Sequence, residues 1–471
     1  MSKSIRQTVL PFKLEMMKNE DQLTSLGGLP LLHELYRKLN LPAVISQHIA
    51  VKEKGWTESE LIESIIALSA AGGEHLSDMD ILCADKGYQK VIGKDKLPSA
   101  KALERFLKRF HEEERMKPRP ETGVAWVPEE GDALKGLGKV RGYLARDLIK
   151  KSKLETVTIE NDATAVFSQK EECLGTYKGG TGYMPVVGSI AELGIVINDE
   201  FRDGNVPPSY GVAAFFEACL SMLPESVKHV RTRLDGAYYQ HDLIELLEAR
   251  KIEFSITGKK QKSILEWIEA NPEQAWKPLM KITDQGHKAS GREWLEMPWV
   301  SADGSQEQMR KRTHRYLITR KTQEQWELYK DKAIEEATLK ERYEVIVTNM
   351  DWEGDRLIRW HYERGGTIEH VNKQVKSDVA GGVLPCGEFG ANAAWWRLQC
   401  MTHNLVRALQ LHALPEEFSR CRLKKLRLWL INIAGRVIES GRQVILKLTQ
   451  GHPSFEIYSN ARKLIAGLAV P

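Results

Sequence analysis

This sequence of 471 residues contains no closely spaced pair of cysteines. Its six cysteines are widely scattered, with no Cys-x-x-Cys pair and no neighbouring histidine at zinc-finger spacing, which argues against a zinc finger or a disulfide scaffold. We interpret them as the reduced thiols of a cytosolic protein. The 13 histidines also lack a paired spacing typical of metal ligands. We expect His361 and His370 to contact phosphate or solvent instead.

Long apolar runs are absent as well. No stretch approaches about 18 uncharged apolar residues, the length of a membrane-spanning helix, and the N-terminal sequence MSKSIRQTVLPFKLEMMKNEDQ has no apolar signal core. We therefore expect a cytoplasmic protein that is neither exported nor membrane-spanning. With 42% hydrophobic and 28% charged residues, the composition is that of an ordinary globular protein of more than one domain.

A large excess of one charge is missing too, because 68 basic residues against 64 acidic ones give a formal charge of +4. That total does not by itself indicate a nucleic-acid partner. The first 110 residues predict short helices, one of which starts at a capping box of Thr57 and Glu60 and stops near Gly72. Another, Ser99–His111, has one apolar and one basic face. Such a helix suits a DNA groove, and it equally suits ordinary packing.

Strands dominate the pattern after about residue 150. The segments LETVTIEND, YMPVVGSIAELGIVINDE, VKHVRTRLDG and KIEFSITG alternate in hydrophobicity, and helical runs separate the later ones. This order predicts a mixed α/β sheet.

Residues 259–340 interrupt that pattern and look inserted. They contain five of the twelve tryptophans, and Arg310–Lys321 has six basic residues and no acidic one. Basic residues on a strand can follow a DNA backbone, although a tryptophan-rich segment can equally form a small core of its own. The residues that we expect to contact DNA are Arg310, Lys311, Arg312 and Arg315.

Three acidic residues stand where an α/β sheet can bring them together. Asp162 lies near the end of a strand whose residues Val157 and Ile159 face away from it, and Asp235 ends a second strand. Glu369 lies on a predicted helix. Such a set suits two divalent metal ions about 3.5 to 4 Å apart, and oxygen ligands favour magnesium. Taken singly, each aspartate has an ordinary explanation as a turn or cap residue.

The stretch HYERGGTIEHVNKQVKSD places Tyr362, Glu369 and Lys376 seven residues apart. On a helix these side chains share one face, with a drift of about 20° per step. The alternative is a solvated face with a Glu–Lys pair. A glycine pair precedes Thr367, so we expect the helix to begin after the glycines with Thr367 as its N-cap and with Arg364 in a flexible approach segment.

These residues together resemble the DDE transposases of bacterial insertion sequences. Asp162 in ENDAT and Asp235 in RLDGAYY are similar to the first two acids of that family, and Glu369 is similar to the third, which lies in a Tyr, Arg, Glu, Lys signature. The segment LRLWLINIAGRVIESGRQVILKL is also similar to the family's C-terminal part. One departure is that Arg364 stands two residues after Tyr362, where the family has its arginine three residues after the tyrosine.

The resemblance implies an α/β fold with an RNase H-like mixed-sheet core, an all-α N-terminal DNA-binding domain and a β-rich insertion domain. The predicted divisions are 1–115 for the N-terminal domain, 116–135 for a linker, 136–258 with 341–410 for the catalytic core, 259–340 for the insertion and 411–471 for a basic helical C-terminal region.

The resemblance also implies a chemistry. Two Mg²⁺ ions, with Mn²⁺ as a substitute, would be held by Asp162, Asp235 and Glu369. Phosphate contacts would come from Tyr362, Arg364 and Lys376. The substrates would be the inverted repeats of a mobile element and target double-stranded DNA, cut and joined by a homodimer. The alternatives are a transposase-derived DNA-binding protein that no longer cuts, and a stand-alone metal-dependent nuclease.

Overall fold

The structure is a computed structural model of the 471-residue chain. It describes residues 5–6, 13–14, 23–120, 123–260, 262–270, 275–283, 286–297, 314–322, 342–449 and 451–470. The chain forms two compact units: unit 1 contains Met1–Pro118, Pro128–Leu144 and Gln374–Pro471, and unit 2 contains Arg119–Val127 and Ala145–Lys373. The five-part division predicted from the sequence stays a prediction.

Unit 1 is mainly helical. Helix α3 begins at the predicted capping box, in which Thr57 Oγ1 accepts from the Glu60 amide and Glu60 accepts from the Thr57 amide. It ends at Gly72, whose φ of 111° suits glycine. The helices of the N-terminal part are α1 (Pro30–Lys38), α2 (Leu41–His48), α3 (Glu58–Ala71), α4 (Met79–Ala84), α5 (Lys86–Val91), α6 (Ala100–Lys108) and α7 (Glu113–Met116). α8 (Asp132–Lys151) has residues in both units.

The resemblance implies an all-α N-terminal domain, but short strands accompany these helices. The strands are β1 (Ile5–Arg6), β2 (Lys13–Leu14) and β3 (Leu23–Thr24). The pair β1–β2 is antiparallel, and β3 pairs with a strand from the C-terminal region.

The long helix of unit 1 is buried on every face. Each residue from Phe389 to Gln410 is buried, because the other helices of the unit surround it. Among the described residues, no helix is long and apolar enough to cross a membrane. The second half of unit 1 contains α14 (Phe389–His412), α15 (Leu423–Leu426) and α16 (Phe455–Gly467), with π-helical turns at Gln374–Asp378 and Arg427–Ile431.

A β-hairpin lies within the C-terminal region that the sequence predicted to be helical. Strands β16 (Gly435–Ser440) and β17 (Gln443–Leu448) are antiparallel, and β16 also pairs with β3. The two turn residues, Gly441 and Arg442, have φ of 57° and 64°. Positive φ at both positions matches the right-handed twist of the strands, which explains why this segment forms a hairpin.

Unit 2 is built on one mixed sheet of nine strands, in the order β12-β13-β14-β15-β11-β10-β4-β8-β9. β10 is parallel to both β4 and β11, and the other pairs are antiparallel. Its strands are β4 (Thr156–Ala163), β8 (Val186–Ile190), β9 (Ile195–Glu200), β10 (His229–Leu234), β11 (Glu253–Thr257), β12 (Lys277–Thr283), β13 (Gly286–Met297), β14 (Arg315–Lys321) and β15 (Tyr343–Thr348). The predicted mixed α/β sheet is therefore confirmed.

Smaller elements complete unit 2. A three-stranded sheet has the order β5-β7-β6, and it consists of β5 (Val166–Phe167), β6 (Leu174–Gly175) and β7 (Thr181–Tyr183). The helices are α9 (Val212–Ser221), α10 (His241–Ala249), α11 (Lys262–Ala270), α12 (Gly354–Tyr362) and α13 (Arg364–Lys373).

The described strands of residues 259–340 extend the main sheet. Leu317 of β14 pairs with Ile346 of β15, and β12 and β13 continue the sheet outward. Both residues belong to a buried apolar cluster that includes Trp294 and, from α12, Leu357. Apolar burial thus packs α12 against this part of the sheet.

Alanine substitutions at Ile318 and Ile282 test the packing of the sheet extension. Ile318 of β14 is fully buried and Ile282 of β12 is 67% exposed. We expect Ile318→Ala to lower the free energy of unfolding by roughly 2–5 kcal/mol, because it leaves a cavity in the core. The matched change Ile282→Ala should cost less than about 1 kcal/mol. Urea denaturation measures both, and equal losses would contradict the described register of β14.

Candidate active site

The two aspartates lie level with each other at one edge of the main sheet. β4 and β10 run parallel, and their register pairs Ile159 with Thr232. Asp162 and Asp235 each stand three residues further along, so the same register sets them side by side. Asp162 lies near the end of β4, as predicted, whereas β10 ends at Leu234, one residue before Asp235.

Negative charge accumulates where the aspartates meet. Burial and the charge of Asp235 raise the pKa of the Asp162 carboxyl to about 6. Arg364 Nη1 lies 3.9 Å from Asp235 Oδ2, and the guanidinium charge acts against the rise at Asp162. Asp235 Oδ1 accepts a hydrogen bond from the Ala237 amide at 3.0 Å, which holds the carboxylate at the turn after β10. The structure thus brings Asp162, Asp235 and Arg364 together.

Helix α13, which carries Glu369, begins earlier than the sequence predicts. It starts at Arg364, so the glycine pair lies inside the helix, and the expected start after the glycines is wrong. Thr367 therefore lies inside the helix and is not its N-cap. Its hydroxyl donates to the Glu160 carboxylate of β4 at 2.6 Å. This contact with the sheet offsets the cost of about 1 kcal/mol for each glycine within a helix.

Glu369 lies on α13 between two residues that contact the aspartates. Arg364 approaches Asp235, and Asn372 Nδ2 donates to Asp162 Oδ2 at 2.9 Å. Glu369 itself is exposed. Within the described part of the chain, no three acidic, histidine or cysteine side chains are close enough to hold a metal ion. Binding of metal by all three acids therefore stays a prediction.

A buried ion pair links the elements of the site. Arg233 of β10 donates from Nε to Glu160 Oε1 at 2.5 Å, and both side chains are almost fully inaccessible. The guanidinium also donates to the Trp360 carbonyl and, at 2.9 Å, to Glu363 between α12 and α13. Thr367 of α13 donates to the same Glu160 carboxylate. The pair therefore fixes the helix against the two strands that carry the aspartates.

Two further buried side chains adjoin the aspartates. The hydroxyl of Tyr238, in the turn after Asp235, is buried without a hydrogen-bond partner among the described residues. Burial and the charges of Asp162 and Asp235 raise its pKa. Asn372 Oδ1 is likewise buried without a partner. Buried polar side-chain atoms in native proteins usually have a hydrogen-bond partner.

The Tyr362 side chain is held by residues of the sheet extension. The Tyr362 hydroxyl donates to Glu344 at 2.6 Å, accepts from Arg292 at 3.2 Å and lies 2.6 Å from the Thr319 hydroxyl. Burial and the charge of Glu344 raise its pKa. Lys376 lies in the π-helical turn that follows α13. A phosphate contact by either residue stays a prediction.

The expected solvent or phosphate contact of His361 is wrong. The imidazole is buried, with Nδ1 2.7 Å from the Ser255 hydroxyl and Nε2 3.0 Å from the Thr257 hydroxyl, both on β11. Burial and the charge of Arg364 lower its pKa to about 3, so the ring is neutral. It packs α12 against the sheet.

Arg315 is held within the protein. Its guanidinium donates to Glu296 of β13 at 2.7 Å and to two backbone carbonyls before α12 at the same distance. The other residues predicted to contact DNA in this segment, Arg310, Lys311 and Arg312, lie outside the described residues. DNA contact by these four stays a prediction.

Comparison with known proteins places this arrangement in a family. A family model described as "Transposase DDE domain group 1" matches residues 8–470. The chain belongs to this transposase family. Among curated proteins, none matches.

A solved structure of a piggyBac transposase synaptic complex with hairpin DNA is similar to this DDE transposase at 11% identity. The match covers 80% of this chain and 72% of that chain, with a TM-score of 0.37.

Sequence reasoning missed several residues at the site of this transposase. Glu160 and Arg233 each precede an aspartate by two positions, and that strand spacing puts each on the same face as its aspartate. The spacing was a usable signal. Asn372 follows Glu369 by three positions on the helix, which is also one face. No comparable pattern marks Tyr238.

Substitution of Asp162 by Asn tests the free-energy cost of a buried negative charge beside Asp235. The pKa of Asp162 is raised from 3.8 to about 6 on folding. Ionisation therefore lowers the stability of the native state as the pH rises through this interval. The variant keeps an acceptor for Asn372 and loses the charge. We expect it to be more stable by about 1–3 kcal/mol at pH 7.5, an advantage that shrinks towards pH 4.

Urea denaturation in EDTA measures this difference, because no cation then relieves the repulsion. Asp351→Asn is the control, since Asp351 is exposed before α12 and should show no such gain. An Asp162→Asn protein no more stable than the parent at pH 7.5 would contradict the electrostatic account.

Proposed function

We propose that this protein binds the ends of a mobile DNA element, cuts the DNA there and joins the freed 3′-hydroxyl to target DNA. The observation that carries the proposal is the pair Asp162 and Asp235, level at the ends of parallel strands with Arg364 beside them. Membership of the transposase family supports phosphodiester chemistry at this place.

The donor set fits a divalent cation. Two carboxylates raise the free energy of each other's charged form, and a cation between them would remove that cost. Oxygen ligands suit Mg²⁺, which binds through one or two carboxylates and leaves further positions to water and phosphate, with Mn²⁺ as a substitute. When bound, such ions activate the attacking oxygen and stabilise the leaving one. In this proposal Asp162, Asp235 and Glu369 hold them.

Arg364 is suited to the scissile phosphate. Its guanidinium is already at the aspartates, and a planar fork of donors matches two phosphate oxygens. It starts α13 rather than lying in a flexible segment, so the charge is held by a helix that the buried ion pair fixes to the sheet. Lys376 is the alternative source of positive charge.

Recognition of DNA is assigned to other parts of the chain. We assign end binding to the helical N-terminal segment and to the basic residues of 259–340. The substrate is double-stranded DNA with inverted repeats at the ends of a bacterial insertion sequence. Holding two ends at once requires two copies of the protein, so we assign a homodimer in the DNA complex.

Isosteric substitutions test the three acids. We expect Asp162→Asn, Asp235→Asn and Glu369→Gln each to lower cleavage of an end-bearing duplex by at least about 1000-fold, roughly 4 kcal/mol of transition-state stabilisation. End binding should stay within about twofold, because basic groups elsewhere supply the phosphate contacts. A cleavage assay with Mg²⁺ and a gel shift in EDTA measure the two quantities on duplexes from the DNA flanking the reading frame.

The matched control is the exposed pair Asp351→Asn and Glu353→Gln, which should cut normally. Substantial cutting by one of the site variants would remove that residue from the proposal. A parent protein that cuts but never joins ends is a nuclease, and one that binds but never cuts is an inactive descendant.

Arg364→Ala and Lys376→Ala compare the two candidate phosphate ligands. We expect Arg364→Ala to lower cleavage or strand transfer by at least tenfold, about 1.4 kcal/mol, because the guanidinium adjoins the aspartates. Arg356→Ala, an exposed arginine on α12, serves as the control. Full activity of Arg364→Ala alongside loss in Lys376→Ala would assign the phosphate to the lysine instead.

A further inference from the structure

Asn372 has an unusual position for a buried amide. It is 4% exposed on α13, one turn after Glu369, and its Nδ2 donates to Asp162 Oδ2 at 2.9 Å. Its Oδ1 is buried and has no hydrogen-bond partner among the residues that the structure describes. Only the nitrogen can donate to a carboxylate, so the bond fixes which way the amide points. The unpaired end of the amide is therefore its oxygen.

A buried acceptor without a hydrogen-bond partner destabilises the folded state unless a bound group supplies the missing donor. Leaving such an oxygen unsatisfied costs the folded state free energy that a purely structural asparagine avoids. Asn392, a buried asparagine on α14, illustrates the difference. Its Oδ1 accepts from the Cys386 amide at 3.2 Å and its Nδ2 donates to the Cys386 carbonyl at 2.9 Å, so both ends are satisfied. Asn372 has one satisfied end, and that end holds Asp162.

The surroundings of Asn372 indicate which donor would bind its amide oxygen. Its helix presents Arg364 to Asp235 and Asn372 to Asp162, so the amide lies where the two carboxylates meet. A divalent cation at two carboxylates keeps several water ligands, and these waters donate hydrogen bonds. An amide oxygen is a suitable acceptor for them.

We propose that Asn372 is a positioning residue of this site, whose amide nitrogen orients Asp162 towards a divalent cation and whose amide oxygen accepts a hydrogen bond from the cation's hydration shell. The inference rests on the proposed function, because it needs a cation at Asp162 and Asp235. Outer partners of this kind typically change metal affinity by 10–100-fold. Asn372 touches neither the DNA nor the reacting atoms in this role.

The test is a Mn²⁺ titration of the full-length protein without DNA, followed by electron paramagnetic resonance. Asn372→Leu keeps the side-chain volume and removes both amide functions. We expect it to weaken Mn²⁺ binding at least tenfold. Asn392→Ala is the control. It should lower the urea midpoint and leave Mn²⁺ affinity unchanged.

The outcomes separate the inference from the proposed function. Mn²⁺ affinity of Asn372→Leu within twofold of the parent, with Asp162→Asn strongly weakened, would overturn the role of Asn372 and leave the metal site standing. Equal Mn²⁺ binding by the parent and by Asp162→Asn would overturn the metal site and with it this inference. A lower urea midpoint in Asn372→Leu with unchanged affinity would mean a structural role only.

Discussion

The arrangement of the site depends on the buried ion pair between Glu160 and Arg233. The two residues stand side by side on β4 and β10, each two positions before an aspartate, and α13 is bound to the pair through Thr367. Burying two charges is favourable only when they pair closely and their remaining donors and acceptors are satisfied. Here backbone and side-chain partners from the α12–α13 junction supply that satisfaction. One electrostatic requirement therefore fixes two strands and a helix together.

This rigid network holds two carboxylates in positions that raise the free energy of the folded state. Burial and the charge of Asp235 raise the pKa of Asp162 to about 6. Arg364 offsets part of the repulsion without closing into a tight salt bridge, since its nearest approach to Asp235 is 3.9 Å. The surrounding network makes the cost of this charge tolerable.

Much of this could be predicted from local pattern. Alternating hydrophobicity located β4 and β10 and therefore the two aspartates, because period-two burial needs no knowledge of distant contacts. The start of α13 could not be predicted, since Thr367 binds Glu160, 207 residues away in the chain. His361 was misassigned for the same reason: its partners are hydroxyls on β11. The hairpin at Gly441 was missed, although its turn had a local cause in backbone conformation.

The sequence by itself determined the elements on which Asp162, Asp235 and Glu369 lie, because strand periodicity puts Asp162 near the end of β4 and Asp235 after β10. The tertiary structure alone decided that β4 and β10 are parallel neighbours in a register that sets Asp162 beside Asp235. It also decided that Asn372 and Arg364 face those carboxylates while Tyr362 turns to Glu344. The physical reason is that register, burial and charge pairing are properties of contacts between distant segments, which no local window of sequence contains.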